Sequence, residues 1–472
     1  MAANRTKRLS APLAMLALAG CATFSTDGGF GSVEQTAQRA VGAQPRWQRT
    51  DAERAEATKL VRAKLMQPLS AEDAVQVALV HNPGLQATYN ELGIAEADVV
   101  AAGRFPAIRI ASLRTKRGND VADIEQSIGI GVLEILTLPL RYQLESSRFA
   151  RVQADVARAT IQVAYDTRRA WVEAVSAQEA VRYMAQVQAS AEASAELARR
   201  MAAAGNFPRL TQMREQVFYA EATAAYARAS LAANAARERL TRLMGLEGAD
   251  AGYRLPERLP DPPAAPKSPA DVAAIAPDER LDIRAARRDA DSLARSLGLV
   301  QATRFVNAFE VGRARTAENG EPFAYGWDFR IEIPLFDFGT ARVAQAEALY
   351  MQAVSRITQA AVDAQSELRE AYAAYRSTYD AAKHYRDEIV PLRKRISDEN
   401  QLRYNGMLIS VFELLADARA QVSAVSAAIE ATREYWLAET DLQAALFGVG
   451  GGARSAARRR ATPTAAASGG PH

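Results

Sequence analysis

The sequence predicts a mainly α-helical, internally duplicated chain in which four β-strands interrupt long antiparallel helical hairpins. Three observations carry this. The turn Ala204-Gly205-Asn206-Phe207-Pro208 is matched about two hundred residues later by Asn405-Gly406-Met407-Leu408-Ile409, and the stop Leu243-Met244-Gly245 is matched by Leu446-Phe447-Gly448. Each turn breaks a very long Ala-rich pattern with apolar residues stepping by three and four. Each half also holds two short segments of alternating character, the signature of strands. A repeat of this size is read before any motif.

Composition narrows the class. The 472 residues carry a net charge of only +3, spread among nearly equal numbers of acids and bases, which excludes a basic nucleic-acid footprint. Hydrophobic residues make up 49% but aromatics only 7%, and Ala supplies much of the difference, as suits helices packed at close range.

From the N-terminus, Arg5, Lys7 and Arg8 precede a short apolar run and then Leu18-Ala19-Gly20-Cys21, which reads as a secretory signal over residues 1–20. Leu-Ala-Gly-Cys resembles the bacterial lipobox, so Cys21, the only cysteine, is the candidate lipidation site. Residues 22–67 read as a polar, extended arm or linker, giving a lipidated N-terminal arm over 21–68. At Leu69-Ser70-Ala71-Glu72-Asp73, Ser70 and Asp73 predict a capped helix start, and the helix continues to about Ala102 with a break at Asn82-Pro83. Phe105–Arg117 and Asp123–Ile135 then read as strands, ended by Leu138-Pro139-Leu140. A helix from Leu140 to Ala204 follows, then the Gly205 turn and a helix from Arg209 to Met244.

Seven prolines from Pro256 to Pro277 mark a linker over 248–277, separating repeat 1 (69–247) from repeat 2 (278–448). Repeat 2 has a short helix to about Gln301 and strands Thr303–Arg315 and Glu321–Ile333. A long helix from Thr340 to Asn405 should kink at Pro391. After the Gly406 turn comes a helix from Ser410 to Leu446. The Gly-, Ala-, Ser- and Arg-rich tail over 449–472 reads as disordered. Phe323, Tyr325, Trp327, Phe329 and Ile331 share one face of the last strand, opposite Asp328, Arg330 and Glu332, and are the candidate membrane-facing residues.

Lengths add a constraint. A helix of about 65 residues rises on the order of 100 Å, which no compact domain needs. Each strand has roughly the 9–11 residues that cross an outer membrane at a tilt. Four strands cannot close a barrel, and open edges are not tolerated in hydrocarbon, so strands from several copies must combine. A homotrimer gives a twelve-stranded barrel with a wet bore.

The ordered set of Leu69-Ser70-Ala71-Glu72-Asp73-Ala74 with Asn82-Pro83, Ile333-Pro334-Leu335-Phe336-Asp337-Phe338-Gly339 and both glycine hairpins resembles the outer membrane factor family, the TolC-like efflux proteins, over roughly Leu69 to Gly448. The resemblance implies a homotrimeric exit duct whose α-helical tunnel meets a periplasmic adaptor (membrane fusion) protein and an inner-membrane pump, without catalysis or cofactor. It implies docking at the tips Gly205, Asn206, Phe207, Gly406, Met407 and Leu408. It also implies a periplasmic gate just beyond them, where acidic positions of the family fall on Phe412 and Leu415, with Glu413 and Asp417 beside them. Enzyme motifs are not found: His81, His384 and His472 are far apart, and no metal-ligand spacing, phosphate loop or nucleophile elbow is present. The competing reading is a periplasmic coiled-coil adaptor or scaffold held only by its lipid.

Overall fold

The computed structural model describes residues 23–117, 121–205, 207–268, 280–318 and 321–449, without the side chains at 116–117, 121–122 and 411–412. Helices α1 (Gly31–Val41), α2 (Asp51–Leu65), α3 (Ala71–His81) and α4 (Pro83–Ala102) precede strands β1 (Arg109–Arg117) and β2 (Val121–Gly131). The first hairpin is α5 (Val132–Ala203) and α6 (Arg209–Met244). Helix α7 (Leu281–Ala302), strands β3 (Ala308–Ala317) and β4 (Ala324–Glu332), and helix α8 (Thr340–His384) follow. A π-turn (Tyr385–Ile389), α9 (Val390–Asn405) and α10 (Val411–Leu446) complete the second hairpin. The duplicated order of helix, two strands, long helix, turn and helix is therefore present.

Four local readings are corrected. The stretch read as an extended arm or linker is not extended throughout, because Gly31–Val41 and Asp51–Leu65 form α1 and α2. Thr50 caps α2 in a full capping box with Glu53, and Ala57 and Val61, one turn apart, are buried. In α2 that stripe is too narrow to stand out as periodicity, whereas α1 is short and buries Val33 and Ala37 one turn apart. Next, β2 ends at Gly131 and α5 starts at Val132, so Pro139 lies inside a helix instead of closing the strand unit. The run Val132-Leu133-Glu134-Ile135 suits strand or helix, and Pro139 forfeits only one backbone bond near the helix start. Third, the disturbance at Pro391 falls in the residues before it. Tyr385–Ile389 widen into a π-turn just ahead of Pro391, and the backbone stays helical through Ile389 and Val390. Fourth, Val449, placed in the tail by its sequence, is buried with Ile161, Tyr165 and Leu281.

The chain divides into two compact units. The first gathers, of the described residues, those within 23–33, 88–156 and 283–361 and contains one antiparallel sheet in the order β1-β2-β3-β4. Its strands are 9, 11, 10 and 9 residues long, within the range that crosses an outer membrane. Among the described residues β1 and β4 are free edges.

The second unit gathers, of the described residues, those within 34–87, 157–282 and 362–449 and holds the helical core. Leu69, Val77, Trp171, Val175, Leu240 and Met244 form its largest buried cluster, and the Trp171 indole N–H donates to the Leu69 carbonyl at 2.8 Å. The α3–α4 break receives the end of α6. Asn82 Nδ2 donates to the Leu243 carbonyl at 2.8 Å, and Gly245 turns left-handed (φ 68°) against His81 and Pro83. The matching stop Gly448 is also left-handed (φ 71°) and lies against Asp282. The proline-rich segment is strapped onto the second hairpin. Trp436 Nε1 donates to Pro260 O at 2.8 Å, Tyr379 Oη donates to Pro263 O and Ala264 O at 2.9 and 2.8 Å, and Lys267 Nζ pairs with Glu439 at 2.8 Å. The acceptors and donors of this strap are met by Trp and Tyr side chains, which turns a linker composition into a bound belt. Burial in this cluster, above other causes, pushes the Tyr435 hydroxyl far above its ordinary pKa.

Candidate functional site

Three places carry the residues singled out by sequence: the sheet, the two hairpin ends, and the helices just beyond those ends.

In the sheet, alternation and register sort the side chains into two unlike faces. Ile110, Ile128, Arg313 and Trp327 form one cross-strand row. On the same face lie Ile130, Val311 and Phe329, then Phe309 and Ile331. Tyr325, Trp327, Phe329 and Ile331 are 65, 65, 64 and 55% exposed, while Phe323 is half-buried. The opposite face pairs Gly129 with Gly312 and Ala314 with Gly326, and carries Arg109, Glu310 and Arg330. There Glu310 bridges Arg109 and Arg330, and Arg109 also reaches Glu134 at 2.7 Å. A Cβ on Gly312 would come within 2.8 Å of the Ile128 carbonyl, so this face is kept small where β2 meets β3. Large apolar groups left in the open on one face, with small and paired charged groups on the other, suit lipid outside and water inside.

The hairpin ends differ in backbone. Gly205 is left-handed (φ 79°) with open space around it, and Phe207 is half-buried; Asn206 lies outside the described residues. At the second end Gly406 is not the left-handed residue (φ −81°); Met407 is (φ 59°). Leu408 N–H donates to Arg403 O at 2.8 Å and Met407 N–H to Tyr404 O at 2.9 Å, closing the helix end with a non-glycine in the position glycine ordinarily takes. The Met407 and Leu408 side chains are 93 and 78% exposed. An unbranched L-residue there costs about 1–2 kcal/mol over glycine, a strain with no packing to offset it.

Beyond the ends, Ser410 caps α10 by accepting from Glu413 N–H at 3.3 Å. Glu413 is exposed, Leu415 half-buried and Asp417 buried; the Phe412 side chain lies outside the described residues. The structure brings together three residues that sequence reasoning passed over. Glu215 on α6, with its side chain 4% exposed, accepts from Arg419 Nη2 on α10 at 2.8 Å and from Ser194 Oγ on α5 at 2.9 Å. The Arg419 guanidinium also lies over the Phe218 ring, 4.5 Å from its centre. This polar node ties the first hairpin to the second beside the apolar contact of Val187, Ala191, Ala222 and Phe218 with Val422. Glu215 and Arg419 are two hundred residues apart and follow no spacing rule, so no sequence signal could have paired them. Cys21 and residues 450–472 lie outside the described residues.

Among the described residues no helix is long and apolar enough to cross a membrane.

No family model and no curated protein matches the chain. Solved structures do. The chain is similar to a membrane protein from Pseudomonas aeruginosa (18% identity, TM-score 0.67, covering 85% of this chain and 95% of that one). It is similar to the outer-membrane channel OprN (19%, TM-score 0.66, 82% and 92% covered). It is also similar to the open state of the MtrE outer membrane channel of Neisseria gonorrhoeae (18%, TM-score 0.65, 80% and 89% covered). At these identities the likeness is one of fold, and it spans nearly the whole of each neighbour.

Proposed function

We propose that this chain, which shares the fold of TolC-like outer membrane channels, is the outer-membrane exit duct of a tripartite efflux or secretion system. The observation that carries the reading is the four-stranded sheet. It exposes an aromatic face, lines the other with glycine and paired charges, and ends in two free edges. Each unpaired edge group in hydrocarbon costs several kcal/mol, so the sheet calls for pairing with other copies. Three copies give twelve strands and a bore wide enough for water. The duct belongs to the bacterial outer membrane, held additionally by lipid on Cys21, with its helices in the periplasm. The fold neighbours named as outer membrane channels support this placement.

In this reading the chain binds no nucleic acid and catalyses nothing; energy comes from an inner-membrane pump reached through a periplasmic adaptor. Gly205, Asn206, Phe207, Gly406, Met407 and Leu408 form the docking ends. The exposed, strained Met407 supports this, since a residue kept at a conformational cost without packing is kept for something outside the chain. The gate comprises Phe412, Glu413, Leu415 and Asp417 together with the Glu215–Arg419 link, which holds the second hairpin against the first.

The test is whether the protein fractionates with the outer membrane as an oligomer that resists unheated SDS and conducts in planar bilayers. A monomer released once its lipid is removed would overturn the duct and favour the lipid-anchored periplasmic scaffold.

A further inference from the structure

The two faces of the sheet differ in charge as well as in polarity. Its carboxylates Asp123, Glu125, Glu310, Asp328 and Glu332 all fall, by register, on the glycine-lined face. The aromatic face carries Arg114, Arg313 and Arg315 and, among the described residues, no carboxylate. Nor do these three arginines make an ion pair among the described residues, whereas Arg109 and Arg330 on the other face are both paired to Glu310. An ordinary solvated strand face mixes both signs, as the glycine-lined face does.

The cations are also placed in depth. The rows next to the helices hold Ile130, Val311, Phe329, Phe309 and Ile331. Then comes the row with Arg313 and Trp327, and beyond it, toward the hairpin loops, the row Ser112, Gln126, Arg315 and Tyr325. In that row Arg315 Nε donates to Gln126 Oε1 at 2.7 Å, and Gln126 Nε2 donates to Ser112 Oγ at 3.3 Å. The Arg313 guanidinium lies 5.4 Å from the Trp327 ring centre, and that of Arg315 lies 4.5 Å from the Phe323 ring centre. Stacking and the glutamine bond hold both side chains along the sheet while leaving their outer N–H groups for a ligand. An apolar band followed by two rows in which Trp327 and Tyr325 stand beside Arg313 and Arg315 is the profile of a hydrocarbon–headgroup boundary.

We propose that Arg114, Arg313 and Arg315 form a binding rim for the phosphate groups of anionic lipid, at the end of the sheet that carries the strand loops. The inference rests on the outer-membrane reading above and adds a ligand to it. Guanidinium is the side chain that grips a phosphate through two parallel hydrogen bonds. An arginine at the bilayer midplane would be strongly unfavourable, whereas near the interface the penalty nearly vanishes. A cation near an anionic surface contributes about a fivefold preference.

The full-length protein is reconstituted in phosphatidylcholine vesicles, and tryptophan quenching by brominated phosphatidic acid is compared with quenching by brominated phosphatidylcholine. The expected result is a several-fold preference for phosphatidic acid. It should be lost in Trp327→Phe, which removes the one of the four tryptophans that lies on this sheet, and fall to about one in the triple variant Arg114→Gln, Arg313→Gln, Arg315→Gln. Equal quenching of the wild-type protein by both lipids overturns the phosphate rim while leaving the membrane reading standing. Failure of the wild-type protein to insert into either vesicle overturns the membrane reading and the rim with it. If the triple variant does not insert, the wild-type preference and its dependence on Trp327 still decide the question.

Discussion

Breaking the link between the hairpins should open the channel. Arg419→Gln removes the cation that donates to Glu215, leaving a carboxylate with its side chain 4% exposed and only Ser194 still hydrogen-bonded to it. A hydrogen bond to a charged group is worth about 1.5–3 kcal/mol, and an uncompensated buried charge costs more. If the bond exists only when the second hairpin lies against the first, losing about 2 kcal/mol shifts the closed-to-open ratio by roughly thirtyfold per protomer. The assay is single-channel recording in planar bilayers, with thermal unfolding measured in parallel. Arg419→Gln should lengthen open dwell times or raise conductance. Glu215→Gln should do so less, because glutamine still accepts a bond from arginine, and the double variant should show less than the sum of the two singles. Wild-type dwell times together with a lowered melting temperature in Arg419→Gln would refute the argument, since the pair would then hold the fold and not the gate.

The other predictions concern the turns, the stops and one carboxylate. Met407→Gly relieves a left-handed methionine (φ 59°) and should leave melting unchanged or raise it. It should also weaken binding to a purified adaptor about tenfold, the worth of a partly buried methionine side chain, as read by surface plasmon resonance. Gly245→Ala should destabilise by about 2 kcal/mol or more, because its Cβ would meet the His81 carbonyl at 2.7 Å in a left-handed backbone. Gly205→Ala, equally left-handed but in open space, should cost only about 1 kcal/mol, and thermal melts separate the two. Burial alone would raise the Asp73 carboxyl, but hydrogen bonds from Lys64 and Ser70 outweigh it and hold the pKa below 3.8. Its contribution is therefore present above pH 3.8 and lost as pH falls through the lower folded value. Asp73→Asn should flatten that part of the acid limb in urea melts recorded from pH 5 to pH 2.

Much of the architecture was legible because it rests on short-range rules. Ser70 and Asp73 mark a helix start, Asn82-Pro83 a break, Gly245 and Gly448 left-handed stops, and alternation exposes Tyr325, Trp327, Phe329 and Ile331 on one face. Reading failed where two local rules compete. Val132–Ile135 is apolar enough for strand or helix, and the choice fell to where pairing with β3 ends, at Gly131↔Glu310. Likewise α2 is too weakly amphipathic to declare itself, although Thr50 and Glu53 spell a capping box, and α1 is only eleven residues long.

By itself the sequence determined the duplication, the strand faces and the places where the chain turns, because periodicity and backbone preference act within a few residues. Tertiary structure alone decided three things. It seated the proline-rich segment on Tyr379 and Trp436, and it gave the left-handed turn to Met407 instead of Gly406. It also joined Glu215 to Ser194 and Arg419 from three different helices. The reason is the same in each case. A buried polar group takes whichever partner packing brings within hydrogen-bond reach, and a turn takes the backbone geometry that its two helices impose; neither is written in the residues next to it.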